Sequence, residues 1–415
     1  MMTLSEELMW RGFVNQTTFK DLATLDTKPI TFYIGMDPSA DSLTIGNLAV
    51  AMLVRQFIDH GHNAILLVGG ATGLIGDPDG KKQERALKSL DEITHNKQAI
   101  AAQYHTIFAG KPFDLVDNYD WFKAIGYLEF LRDTGKYVPM RQMLGRDFVQ
   151  SRLGEDGDGI SYAEFSYSLI QGYDYLHLYK EKGATLQLCG ADQWGNCVTG
   201  VDLIRRVEGV EAHVLSMPLV VNKTTGVKFG KSEAGAVWLD PARTTPTQFY
   251  QFWINCDDAG VGDYLKIYTL LSREDIEGVM AEQIADPSKR IAQLRLADEV
   301  TRLVHGQDNV KTAKRVTDVL TGKLAVGEAD DVLDALRKEI PAIDTHDKGS
   351  IIETLTKSGL AQSNTEARRF LKENAISLND RKVQREDFAP DDFQNGRLLL
   401  RRGKAFKDSV LVELG

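Results

Sequence analysis

Two lysines bracket a glycine in Lys228-Phe229-Gly230-Lys231-Ser232, within a polar stretch. Cations on a flexible loop are well suited to meeting negative charge that shifts as phosphates rearrange. Taken alone, the segment reads first as ordinary surface lysine. A second segment, Tyr33-Ile34-Gly35-Met36-Asp37-Pro38-Ser39-Ala40-Asp41-Ser42-Leu43-Thr44-Ile45-Gly46-Asn47, gathers small residues and hydroxyls and runs into a helical pattern. Free N–H groups and the positive end of a helix dipole make such a start an anion site. A third, Gly69-Gly70-Ala71-Thr72-Gly73-Leu74-Ile75-Gly76-Asp77-Pro78, puts glycines and the Asp77 carboxylate directly after an apolar run. It is not a Walker phosphate loop, because no glycine stands five positions before Gly80 and Lys82 replaces the Ser or Thr after Lys81. The dinucleotide fingerprint spacing is absent too. A fourth, Gly190-Ala191-Asp192-Gln193-Trp194-Gly195-Asn196, follows another apolar run. Asp192 sits there as acids that hold ribose hydroxyls do.

These segments need a frame that brings them together. Short apolar runs at 31–34, 64–68, 113–116, 185–189 and 212–215 alternate with amphipathic stretches. That alternation predicts a Rossmann-type, doubly wound parallel sheet with helices on both faces. Ligands bind such sheets beyond the carboxyl ends of the strands, where all of the candidate loops fall. We therefore expect a catalytic domain over 1–221 and a lysine loop with a helical domain over 222–320. A polar, acidic connector should fill 321–348, and a small α+β domain 349–415. In that last unit Ser363-Asn364-Thr365-Glu366 reads as a capping box, and strands are expected at 376–378, 398–401 and 410–414.

Composition narrows the class. The chain has 415 residues, 43% apolar and 26% charged, room for two or three domains at about 150 residues each. No apolar run reaches the roughly 20 residues that span a bilayer, so no membrane is expected. The start of the chain is acidic and lacks a signal-peptide layout, and cytoplasmic residence is expected. Cys189, Cys197 and Cys256 show no paired spacing, and no metal site is indicated. Net charge is −10, which argues against DNA or a general nucleic-acid coat. Residues 368–407 nonetheless carry 11 Lys or Arg against 6 Asp or Glu. Within them Arg368, Arg369 and Lys372 share a helix face, and Arg401, Arg402, Lys404 and Lys407 follow along a turn, as a phosphate-contacting RNA surface would need.

The segments 33–47 and 228–232 together resemble the two signatures of class I aminoacyl-tRNA synthetases. The likeness is greatest to the bacterial tyrosyl-tRNA synthetases. It extends over 69–85, over Glu164-Phe165-Ser166-Tyr167-Ser168-Leu169-Ile170-Gln171-Gly172-Tyr173-Asp174, over 190–196 and 248–255, and over the C-terminal unit. The resemblance implies activation of L-tyrosine by ATP with release of pyrophosphate, then transfer to the 3′ adenosine of tRNA(Tyr). By the same likeness Tyr33 and Asp174 meet the phenolic hydroxyl, while Asp77, Tyr167 and Gln171 hold the ammonium. Gly35, Asp37, Gly46, Asn47, Gly190, Asp192 and Gln193 surround the nucleotide. Lys228, Lys231, Lys81, Arg85, Ser39 and Thr44 serve the departing phosphates, and the basic C-terminal residues take the tRNA. ATP enters as substrate with Mg²⁺, no tightly bound cofactor is implied, and the family is homodimeric.

One departure stands out. The first signature carries histidine at both ends, whereas this chain has Thr44 and Asn47. Thr44 can donate a hydrogen bond to phosphate but never carries charge. Two other readings stay open on sequence: a tryptophanyl-type relative, and a catalytically dead RNA-binding regulator on the same scaffold.

Overall fold

The computed structural model describes residues 2–77, 88–145, 147–154, 159–229, 231–232, 235–403 and 408–415. Two compact units divide it: Met1–Leu239 with Cys256–Ala292, and Asp240–Asn255 with Gln293–Gly415. The stretch expected as one helical domain is thus shared between the two. Among the described residues no helix is long and apolar enough to cross a membrane.

In the first unit β1 (Gln16–Thr17), β2 (Thr31–Met36), β3 (Asn63–Val68), β4 (Asp114–Asp117), β5 (Ala184–Gly190) and β6 (His213–Met217) form a sheet in the order β1-β6-β5-β2-β3-β4. All but β1 run parallel. Ala64 to Val68 of β3 are all buried, as expected of a strand covered on both faces. At the edge, β4 lies one residue later than expected and leaves Leu115 exposed. Strand order reverses between β2 and β5, so a crevice opens at their carboxyl ends.

Two helices frame that crevice. Ile45–Asp59 follows β2 and buries Leu48, Met52 and Phe57. Tyr162–Lys182 is started by Ser161, whose side chain accepts from Glu164 N while Glu164 reaches back to Ser161 N, and is ended by Gly183 at φ 68°. Its Tyr167, Gln171 and Asp174 are spaced i, i+4, i+7 and so share one face. Beyond β6 a two-stranded hairpin joins β7 (Lys231–Ser232) and β8 (Gly235–Ala236). The chain then returns along the start of the first helix: Leu239 N donates to Leu43 O at 2.9 Å, Ile45 N donates to Val237 O at 3.1 Å, and Thr44 bridges Trp238.

The second unit holds a sheet of β9 (Ala342–Thr345), β10 (Ile376–Leu378), β11 (Arg381–Lys382), β12 (Arg397–Arg402) and β13 (Ser409–Leu414), in the order β11-β10-β12-β13-β9. Side chains alternate across it. Leu398, Leu400, Val410 and Val412 pack with the helices Ile351–Lys357 and Asn364–Lys372. Leu399 and Leu411 face the other way, onto Val316, Leu320, Val332 and Leu336. This corrects the connector expected over 321–348. That stretch contains the helix Leu333–Glu339 and strand β9, and its apolar side chains close the second core. The capping box is half formed: Ser363 accepts from Glu366 N, but the Glu366 carboxylate takes Gln362 N instead of Ser363 N.

Leu411→Ala should lower the stability of this unit by about 2–5 kcal/mol, since the side chain is fully buried between strand and helices. Thermal unfolding followed by circular dichroism measures it, and a change within half a degree would show that the 316–340 segment does not depend on the sheet.

Candidate active site

A cavity of about 330 Å³ lies at the carboxyl ends of β2 and β5. From the second segment Tyr33, Gly35, Asp37, Ser39, Thr44, Gly46 and Asn47 line it. Asp77, Tyr167, Gln171 and Asp174 join from the third segment and the long helix, and Gly190, Asp192, Gln193 and Lys228 complete the wall. Of Lys231 only the backbone is described, and Lys81 and Arg85 lie outside the described residues.

The closed end of the cavity is built around Asp174, 1% exposed. Asn118 Nδ2 donates to its Oδ2 at 3.0 Å and Trp121 Nε1 to its Oδ1 at 2.9 Å. Those bonds favour the charged form, yet burial outweighs them and pushes the Asp174 carboxyl up to about 8. Tyr33 is equally buried, and its hydroxyl makes no hydrogen bond among the described residues. Burial likewise drives the Tyr33 phenol well above its usual range.

A chain of hydrogen bonds runs from there toward the open end. Asn118 Nδ2 also donates to Thr72 Oγ1 at 3.2 Å, Thr72 Oγ1 donates to Asp37 Oδ1 at 2.6 Å, and Tyr167 Oη donates to Asp37 Oδ2 at 2.8 Å. Asp37 is thereby gripped from both sides. Gly69 makes this approach possible, because a Cβ there would stand 2.6 Å from Asp37 Oδ1. Asp77 accepts from Gln193 Nε2, and Lys228 Nζ stands 3.5 Å from Asp192 Oδ2.

Four polar residues of the site escaped the sequence reading. Asn118 and Trp121 carry no local motif of their own, and Thr72, though inside the glycine-rich third segment, was given no role there. Gln187 is paired in register with Tyr33 across β2 and β5, is buried, and has an Oε1 without a hydrogen bond among the described residues. Its one signal was a polar residue inside an apolar strand.

Thr44 departs from expectation. Its hydroxyl donates to Asn47 Oδ1 at 2.9 Å, as does its backbone N–H, also at 2.9 Å. The hydroxyl proton expected for phosphate is therefore already engaged.

On the C-terminal unit Arg368, Arg369 and Lys372 are exposed along the helix Asn364–Lys372. Arg368 pairs with Glu386, and Arg369 with Glu366. Arg369 and Arg402 lie over the Phe370 ring at 5.2 and 5.3 Å. Arg401 does not belong to this surface. It is 8% exposed, bonded to Asp380 at 2.9 Å and to Val319 O at 3.3 Å, so it holds the fold and is withdrawn as an RNA contact. Lys404 and Lys407 lie outside the described residues.

Comparison with known proteins agrees with this geometry. Residues 25–320 match the family model described as tRNA synthetases class I (W and Y). Residues 331–407 match that of the tyrosine–tRNA ligase SYY-like C-terminal domain. The tyrosine–tRNA ligase of Limosilactobacillus reuteri is 42% identical, covering 97% of this chain and 98% of that protein. Tyrosine–tRNA ligase 2 of Bacillus cereus is also 42% identical, over the whole of both chains. Among solved structures, a C-terminally truncated mitochondrial tyrosyl-tRNA synthetase from Aspergillus nidulans superposes with a TM-score of 0.69 at 29% identity, covering 77% of this chain and 94% of that one. The tryptophanyl-tRNA synthetase of Encephalitozoon cuniculi, at 14% identity and a TM-score of 0.53, shares the fold. The chain belongs to the class I tRNA synthetases, and within them to the tyrosyl-tRNA synthetases.

Proposed function

We infer that the protein is a tyrosine–tRNA ligase, activating L-tyrosine with ATP and passing the tyrosyl group to the 3′ adenosine of tRNA(Tyr). The observation that carries this reading is the closed end of the cavity, where the buried Asp174 and the unpartnered Tyr33 hydroxyl stand ready for a second phenol. A phenol pairs with both. Phenylalanine leaves them buried and unsatisfied, which costs roughly 1–3 kcal/mol per group. Gln171 and Tyr167, one and two turns before Asp174 on the same helix face, lie toward the ammonium end. Because Tyr167 gives its proton to Asp37, its oxygen lone pairs face outward and accept from an ammonium. Asp77 and the Gln171 carbonyl complete that end.

The tyrosine carboxylate oxygen attacks the α-phosphorus of ATP, a P–O bond forms, and pyrophosphate leaves with the electron pair of the broken bond. No protein nucleophile is needed, so the site works by positioning and by countering charge. Gly35, Asp37, Gly46, Asn47, Gly190, Asp192 and Gln193 seat the adenosine and its phosphates. Ser39, Lys228, Lys231, Lys81 and Arg85 take the pyrophosphate. Mg²⁺ travels with the nucleotide as part of the substrate, held by phosphates and water. Arg368, Arg369, Lys372 and Arg402, with Lys404 and Lys407, bind the tRNA backbone. The enzyme works as a homodimer in the cytoplasm. Support for the dimer comes from the exposed Leu128 and Tyr162, the latter touching Tyr127 through their hydroxyls; such apolar surface suits a second copy.

Tyrosine-dependent exchange of pyrophosphate into ATP by the purified protein tests this reading. Exchange with tryptophan in place of tyrosine, or no exchange with either, would refute it. Asp174→Ala should cut the preference for tyrosine over phenylalanine at least tenfold in the same assay.

Burial of Asp174 also sets a pH dependence. Its carboxyl titrates at about 8 when folded against 3.8 for the free side chain, so between those values the folded chain keeps a proton that the unfolded chain loses. Stability must therefore fall as pH rises through that window, by at most roughly 1.4 kcal/mol per pH unit. Asp174→Asn should flatten the decline in thermal midpoint between pH 5.5 and 7.5, and equal slopes in both proteins would disprove the buried proton.

A further inference from the structure

The corner of the cavity at the start of the helix Ile45–Asp59 holds Thr44 and Asn47 in an arrangement that the family's histidines do not predict. Both hydrogen-bond donors of Thr44, its backbone N–H and its hydroxyl, converge on Asn47 Oδ1 at 2.9 Å each. A carboxamide has one acceptor end and one donor end. Turning it over would set its NH₂ against two donors, so this pair of bonds admits one orientation of the Asn47 amide. Thr44 is itself held in place. It bridges Trp238, and on either side of it Leu43 O accepts from Leu239 N and Ile45 N donates to Val237 O. Asn47 lines the cavity, and its Nδ2 makes no hydrogen bond among the described residues.

We propose that Thr44 is a positioning residue that acts through Asn47: it locks the Asn47 amide so that Nδ2 is the donor presented to the nucleotide. The inference rests on the reading of this cavity as the site of tyrosine activation by ATP. A fixed donor gains over a freely turning one because no orientation has to be lost when the ligand arrives. The pair is also neutral at every pH. Nothing at this corner titrates, and positive charge for the phosphates comes from the lysine-bearing segments instead.

The test is a double-mutant cycle in the tyrosine-dependent ATP–pyrophosphate exchange assay, with Thr44→Val, Thr44→Ser, Asn47→Ala and the Thr44→Val/Asn47→Ala pair. Asn47→Ala should lower kcat/KM for ATP roughly tenfold to a hundredfold, the worth of one hydrogen bond to a charged ligand. Thr44→Val should lower it in the same direction, and Thr44→Ser, which keeps the hydroxyl, should stay within about twofold of the parent. The double variant should be no worse than Asn47→Ala alone, and KM for tyrosine should hold throughout. Multiplied losses in the double variant would mean that Thr44 meets the nucleotide directly, overturning the proposal. So would a Thr44→Ser enzyme as impaired as Thr44→Val, or equal losses in the KM values for tyrosine and ATP, which mark a damaged helix start. If the parent enzyme shows no tyrosine-dependent exchange, it is the site assignment that fails.

Discussion

A carboxyl group sealed beneath the strand ends governs what this cavity can accept. Asp174 is buried without losing its partners: Asn118 and Trp121 occupy one oxygen each. Water cannot reach it to stand in for a ligand, so any molecule filling the closed end must itself bring a polar hydrogen or a lone pair. Close beside it the Tyr33 hydroxyl is under the same constraint. Two such groups at one depth make an apolar ring without a hydroxyl a poor occupant, and discrimination follows from desolvation alone. The same burial keeps the acid neutral near physiological pH, which lets the fold bury it at a tolerable energetic cost.

On the proposed assignment, the hydrogen-bond chain leaving Asp174 ties together the groups that meet the two ends of the amino acid. Asn118 and Thr72 connect Asp174 to Asp37, and Asp37 receives the Tyr167 hydroxyl. Every link joins a different strand end or helix of the first unit. On the proposed site assignment, a shift of the long helix would disturb the hydroxyl end and the ammonium end at once, because Asp174 and Tyr167 sit two turns apart on it. The substrate would then be measured along its length against one rigid element.

Local patterns made part of this visible in advance. The glycines after β3 and the alternation of strands and helices express short-range geometry, and each reappears in the structure, whereas Tyr167, Gln171 and Asp174 were named only through the family resemblance. What stayed hidden depends on distance along the chain. Asn118 and Trp121 reach Asp174 from 56 and 53 residues away, and nothing in their own neighbourhood marks them. The stretch 321–348 looked like a connector because the core its apolar residues join is completed by Leu399 and Leu411, far along the chain. Arg401 was misjudged for a related reason. A basic residue in a basic run reads as surface until Asp380, some twenty positions earlier, is seen to pair with it.

The donors of the cavity differ in charge and in exposure. Fixed donors are neutral: the helix-start amides, and an Asn47 side chain held by Thr44. Lys228 is more than half exposed and 3.5 Å from Asp192, a pairing that solvent screens and that a phosphate can displace. Lys231 stands on a hairpin with two paired positions, whose return arm is fastened through Val237 and Leu239 to the residues around Thr44 and whose approach is fastened by Phe229 N donating to Val220 O. Charge fixed permanently beside the nucleotide would stabilise bound ATP as much as the leaving pyrophosphate and so leave the barrier where it was. On the assignment proposed above, an exposed cation such as Lys228 can move with the phosphates as they separate while the neutral Asn47 amide keeps the nucleotide in register.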